Sequence, residues 1–244
     1  MGTCSFTESS LNSEKSNLSL KWDVEEGGVK MGNDYSYNEE IWNAITHGIG
    51  IALAVAAHAV LVVFATLHGD VWHIVTFSVY GTTLVILYLF STLYHSFRDP
   101  KLKSIFKVID HSAIYLLIAG SYTPFTLIAL RGTIGWAIFG IIWGLAIIGV
   151  VLKVFFVKRF KIVSTLTYVL MGWMIVVAFN PLLENLSTQG VRWLVLGGVL
   201  YSGGAIFYLI KRIPYNHAIF HLFVIGGSVC HFVSILLYVL PITA

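Results

Sequence analysis

The chain reads as an all-α membrane protein, a bundle of seven transmembrane helices with its N-terminus in the cytoplasm and its C-terminus outside. Three observations carry that reading. Hydrophobic residues make up 57% of the sequence, charged residues only 11%, and mean hydropathy is +0.82, whereas soluble domains carry about 25% charged residues. Seven apolar stretches reach roughly the 20 residues that a bilayer crossing needs, and short polar connections separate them. Of the twelve acidic residues, eight precede residue 41, and Asp70, Asp99 and Glu184 fall in connections, so Asp110 alone lies within an apolar run.

Taken in order, residues 1–36 are polar, acidic and rich in Ser and Asn, the composition of a disordered cytoplasmic extension. No apolar core follows a basic start, so this is not a signal peptide. Phe6 occupies the Ser/Thr position of a myristoylation signal, which therefore fails. Residues 37–244 form the membrane domain. Its spans are expected at about 41–67, 72–96, 108–129, 133–156, 163–182, 191–210 and 217–240. Pro124 and Pro181 interrupt or end the third and fifth spans. Gly197, Gly198, Gly203 and Gly204 in the sixth span, with Gly226 and Gly227 in the seventh, allow close helix approach. Cys4 and Cys230 sit far apart and imply no disulfide framework. A net charge of +3, with its basic residues in loops, gives no footing for nucleic acid.

Orientation follows from Lys and Arg in the connections. Arg98, Lys101, Lys103 and Lys107 follow the second span; Lys153, Lys158, Arg159 and Lys161 follow the fourth; Lys211 and Arg212 precede the seventh. The opposite side holds only Arg131 and Arg192. The basic side is the cytoplasmic one.

Polar residues then gather at one depth. Ser91 and His95, one turn apart, end the second span; Asp110 opens the third; His217 and His221, spaced i and i+4, open the seventh on one face. Ionisable groups in hydrocarbon are costly and are rarely present without a partner or a task. Three imidazoles with a carboxylate nearby match a Zn²⁺ site that keeps one position for water and lowers the pKa of that water to about 7. His95, His217 and His221 are the expected ligands, Asp110 the group that orients the water or takes its proton, and Ser91 a hydroxyl for the water or an oxyanion. Ser91 has the alternative of bonding back to its own helix. Glu40, Asn43 and His47 share a face of the first span at the same end and are expected to support the ligands. A single interfacial histidine more often snorkels or bonds a carbonyl; the agreement of three helices in depth is what points to a metal.

Other histidines fit less well. His231 lies fourteen residues beyond His217, ~21 Å along the helix, and His58 eleven beyond His47, ~16 Å; both are expected to serve packing. His68, Asp70 and His73 form a polar outer connection, and His111 projects about 100° from Asp110, away from the site.

The stretches Glu40-Ile-Trp-Asn43-Ala-Ile-Thr-His47-Gly-Ile-Gly50, Ser91-Thr-Leu-Tyr-His95, Asp110-His111-Ser112 running to Gly120-Ser-Tyr-Thr-Pro124-Phe, and His217-Ala-Ile-Phe-His221 resemble the hemolysin III family, bacterial members of the progestin and adipoQ receptor superfamily. Lys211-Arg212-Ile-Pro-Tyr-Asn216-His217 and the run Ser228-Val-Cys230-His231 look like inner-membrane members of enterobacteria. The resemblance covers about residues 38–240. It implies seven helices with a cytoplasmic N-terminus, zinc on the positions of His95, His217 and His221, and an aspartate at Asp110 that reaches the ion through water. The superfamily includes alkaline ceramidases, which implies lipid-amide hydrolysis as an activity. A role in membrane lipid or energy homeostasis is also ascribed to bacterial members.

Three functions are therefore open: a zinc-dependent hydrolase of a membrane lipid amide or ester, a non-enzymatic sensor of membrane energetics whose zinc staples spans together, and a cytolysin as the family name suggests. Seven apolar spans without a continuous polar stripe fit the third poorly.

Overall fold

A computed structural model describes residues 35–157 and 161–242. The tail expected over residues 1–36 falls almost wholly outside the described residues, as do Cys4, Lys158 and Arg159 of the readings above.

Among the described residues the fold is all helical, and seven helical spans are long and apolar enough to cross a membrane. They are span 1 (Tyr37–His68), span 2 (Val71–Ser96), span 3 (Pro100–Ala129), span 4 (Thr133–Phe156), span 5 (Lys161–Asn185), span 6 (Thr188–Leu209) and span 7 (Asn216–Val239). Span 3 is central: 83% of its apolar stretch is buried, against 22–50% for the others. Large apolar side chains such as Phe155, Leu170 and Val177 face outward, the surface that hydrocarbon would cover.

Helix ends account for most departures from the expected spans. Span 3 begins at Pro100, eight residues before the expected start. Asp99 caps it by accepting from the Leu102 N–H at 2.8 Å, and Pro100 occupies the first turn, where no N–H is needed. Asp110 therefore does not open the span; it lies three turns inside it. In the connection between spans 1 and 2, Asp70 and His73 form a reciprocal cap for span 2, so that pair is committed to a helix start. Burial pushes the Asp70 carboxyl up, but hydrogen bonds from the His73 side chain and from the backbone N–H groups of His73 and Trp72 outweigh it and hold it below its ordinary range.

Pro124 ends the regular part of span 3, and a π-helical turn over Phe125–Ala129 follows, as expected where a residue lacks its N–H. The break in span 5 has a different cause from the expected Pro181. It falls at Gly172–Ala178, where the Tyr122 hydroxyl donates to the Gly172 carbonyl and accepts from the Ile175 N–H, both at 2.8 Å. A side chain from the central span is inserted into the hydrogen-bond ladder of its neighbour, a recognised source of kinks. Pro181 sits within the short helix that follows.

Buried polar contacts tie spans 2, 6 and 7 together. Tyr88 and Tyr201 share the Ser228 hydroxyl at 2.8 and 2.9 Å, and Tyr80 donates to the Ser228 carbonyl at 3.1 Å. His231 bonds the Leu194 carbonyl from Nε2 at 3.3 Å and packs edge-on against Tyr201, the packing role expected of it. His58 packs on Gly81 of span 2, where a Cβ would collide with its ring. Span 4 meets span 3 as closely: a Cβ at Gly149 would lie 2.5 Å from the Tyr115 ring. Gly149→Ala is therefore expected to destabilise the bundle by about 1–3 kcal/mol, seen as a lower melting midpoint in detergent. A midpoint equal to the wild type would mean that the two spans separate at no cost.

Candidate metal centre

Four spans bring polar groups to one end of the bundle, and each arrives through helical spacing. Span 1 presents Glu40, Asn43, Thr46 and His47 on its inward face; span 2 presents Ser91 and His95 near its last turn; span 3 presents Lys103 and Asp110, seven residues apart; span 7 presents His217 and His221. All ten side chains are buried.

The imidazoles of His95, His217 and His221 converge, with one ring nitrogen of each within 4.8 Å of the others. His95 Nε2 and His217 Nε2 are 3.1 Å apart. Nδ1 of His95 donates to Glu40 Oε2 at 2.5 Å, and Nδ1 of His221 donates to the Asn43 carbonyl at 3.2 Å, with Thr46 Oγ1 at 3.1 Å. Carboxylate and carbonyl oxygens can only accept, so the proton of each ring is assigned to Nδ1 and the lone pair to Nε2. The tautomers are thus set for Nε2 ligation, the usual arrangement in which a carboxylate or carbonyl orients a metal-binding histidine. Two nitrogens on a tetrahedral zinc ion at ~2.0–2.1 Å lie ~3.3 Å apart, close to the His95–His217 separation. The donor set fits a divalent cation, and the buried group could hold one.

Around the triad, Lys103 Nζ lies 2.8 Å from Glu40 Oε1 as an ion pair, so a lysine–carboxylate–imidazole chain runs into the centre. Lys103 was counted above as a loop cation that sets topology, yet it is only 6% exposed. Its seven-residue spacing from Asp110 puts it on the same helix face, a signal that becomes visible once the Asp99-Pro100 start is recognised. Lys153 is likewise internal. Glu40→Gln is expected to weaken metal affinity by about 10–100-fold, measured by competition with a chelator; unchanged affinity would remove Glu40 from the centre.

His47 stacks on His221, with centroids 3.4 Å apart and planes at 12°. Its Nδ1 pairs with the Ser91 hydroxyl at 2.7 Å, so Ser91 joins spans 1 and 2 rather than bonding back to its own backbone. Both polar side-chain atoms of Asn43, fully buried, and Nε2 of His47 have no partner among the described residues, and such atoms beside the triad suit a polar occupant.

Asp110 is not among the side chains that offer a donor within 4.8 Å of the whole triad. Its Oδ2 lies 3.3 Å from His111 Nδ1. His111 was expected to turn away from the site; instead its ring folds back on the adjacent carboxylate, and its backbone carbonyl accepts from Tyr168 Oη at 2.9 Å. Thr46, which holds His221 Nδ1, was missed as well, although it stands one turn from Asn43.

Comparison with known proteins places the chain in a family. The model of the family described as Haemolysin-III related matches residues 35–232. Hemolysin-3 of Bacillus cereus is 56% identical over 203 residues, covering 83% of this chain and 93% of that protein. The Hemolysin-3 homolog of Bacillus subtilis (strain 168) is 51% identical over 204 residues, covering 84% and 96%. The Monocyte to macrophage differentiation factor of Homo sapiens is 31% identical over 209 residues, covering 82% and 84%. No solved structure matches the chain. With seven apolar spans and a buried triad of histidines, the chain is a multi-pass membrane protein that belongs to the Haemolysin-III related family.

Proposed function

We propose that the chain is a zinc-dependent hydrolase of a lipid amide or ester in the bacterial inner membrane, acting in membrane lipid homeostasis, with its N-terminus in the cytoplasm. The observation that carries this reading is the set of three buried imidazoles, two of them with Nδ1 occupied by acceptors so that Nε2 is left for a metal. Orientation rests on the Lys/Arg bias, which survives the removal of the buried Lys103 and Lys153 from the count: eight basic residues remain on one side against two on the other.

Zinc on His95, His217 and His221 would supply a Lewis acid and water with a pKa near ~7. The protein's own groups do the rest. Asp110, braced by His111, would accept a proton on its carboxylate from the attacking water and hand it to the departing amine or alcohol. Glu40 and the Asn43 carbonyl hold His95 and His221 in register. The unpartnered Asn43 amide orients the polar head of the lipid, and Ser91 acts by holding His47 against His221. A lipid enters laterally between helices, so its acyl chains stay in hydrocarbon.

The test is purified protein assayed for zinc by elemental analysis and for product on a panel of ceramides, other N-acyl lipids and lipid esters. Zinc near one per chain with product from an amide or ester supports the reading. Zinc near one per chain without product from any member of the panel would instead favour a sensor in which the metal only staples spans 2, 3 and 7, directly through the histidines of spans 2 and 7 and through Asp110 of span 3, with span 1 held to them by the Glu40–His95 and Thr46–His221 contacts. The names of the Bacillus relatives carry a lytic reading as well; heat-sensitive lysis of red cells by the purified protein would support it.

A further inference from the structure

Span 7 starts from a strained residue. Tyr215, which precedes its first helical position, has φ 55° and ψ 24°, in the left-handed region. Among the described residues it is the one non-glycine residue with positive φ. Residues with a side chain rarely adopt that conformation, and where it persists the surroundings impose it, commonly beside a functional site. The Tyr215 ring is not what imposes it, since the residue is 39% exposed. A helix ordinarily starts from an extended residue whose own side chain caps it; Tyr215 supplies no such cap.

Another helix supplies the acceptor instead. Oε1 of Glu39 in span 1 accepts from the Tyr215 N–H at 3.2 Å. In a capping box that N–H goes to a Glu or Gln at the third helical position. In span 7 this position is Ala218, whose methyl group cannot accept. The rest of the turn is pinned from span 6. The Asn216 N–H bonds the Ile213 carbonyl at 3.2 Å, and the Asn216 side-chain amide donates to the Phe207 carbonyl at 3.1 Å. The Tyr215 carbonyl accepts from the Ile219 N–H at 3.0 Å, so the strained residue also anchors the first rung of span 7. His217 lies in that first turn, and His221 follows one turn later. Glu40, the neighbour of Glu39, holds His95. Consecutive carboxylates of span 1 thus reach two ligand-bearing helices, span 2 through an imidazole and span 7 through its leading backbone.

We propose that Glu39 is a positioning residue for the histidine centre. By accepting from Tyr215 it holds the left-handed turn that sets the depth and rotation at which span 7 presents His217. Ligand distances on a metal tolerate only about ±0.2 Å, so a small rotation of this turn is felt as affinity. The inference rests on the reading of the triad as a zinc centre.

The experiment uses the full chain in detergent as wild type, Glu39→Ala, Glu39→Gln and the Glu39→Ala/Tyr215→Gly double variant. Zinc affinity is read by competition with a chelator, and hydrogen–deuterium exchange of the backbone amides of residues 215–221 is followed on zinc-free protein. Glu39→Ala is expected to weaken zinc binding by about fivefold, the worth of one hydrogen bond, and to speed exchange at Tyr215 by a similar factor. Glu39→Gln keeps a carbonyl oxygen for the same N–H and should stay near wild type. Glycine adopts positive φ without a steric cost, so the double variant should recover most of the affinity lost in Glu39→Ala. Equal losses in Glu39→Gln and Glu39→Ala would make the effect one of charge and overturn the proposal. So would a Glu39→Ala protein that binds zinc as tightly as zinc-holding wild type. Wild type without zinc would defeat the zinc reading alone; exchange then decides, and undiminished protection at Tyr215 in Glu39→Ala overturns the proposal.

Discussion

Replacing His217 with alanine is expected to take zinc content from about one ion per chain to near none. Only His95 and His221 remain to coordinate, and the fit of the centre rests on the 3.1 Å approach of His217 Nε2 to His95 Nε2. Loss of a partner behind a ligand already costs about 10–100-fold in affinity, so loss of the ligand itself should exceed that. A metal held by the triad would bind only the folded bundle, and an ion present at ~100 times its dissociation constant contributes ~2.7 kcal/mol of stability. The variant should therefore melt earlier than zinc-loaded wild type and at nearly the same point as chelated wild type. His231→Ala is the control, since that ring bonds Leu194 on another level of span 7 and should leave zinc in place. Full zinc retention by both His217→Ala and the His217→Ala/His221→Ala double variant would place any metal elsewhere.

Asp110→Asn is expected to separate chemistry from binding. The amide keeps the size of the carboxylate and its place beside His111, and Asp110 is not one of the clustered donors, so zinc content and melting should stay near wild type. What is lost is the ability to accept a proton, and a positioned general base contributes typically about 10²–10⁴-fold. Turnover of the lipid amide or ester should fall by about that factor, with little change in substrate affinity. An Asn variant as active as wild type would remove Asp110 from proton transfer, and one that loses its zinc as fully as His217→Ala would make it a metal ligand.

The membrane class, the number of spans and the depth at which histidines meet were all legible in one dimension. Spans are set by length and hydropathy, and the i, i+4 spacing of His217 and His221 puts them on one face whatever surrounds them. Boundaries were less legible because a cap is chosen by local hydrogen bonding rather than apolar content: Asp99 and Pro100 start span 3 two turns early, which moved Asp110 inside the helix and carried Lys103 with it. Lysine charge misled for a related reason. A Lys near a helix end looks alike whether it faces water or a buried Glu40, and only the neighbouring span decides.

By itself, then, the order of residues determined seven apolar rods, the side on which their cations gather and the kinds of donor available, because hydrophobicity and helical periodicity act within a segment. The tertiary structure alone decided which atoms meet: Glu40 on His95, the Asn43 carbonyl on His221, Ser91 on His47 and Tyr122 inserted into span 5. Those pairings join residues tens to nearly two hundred positions apart. They depend on the rotation and depth of each helix against its neighbours, which close packing sets and no single segment encodes.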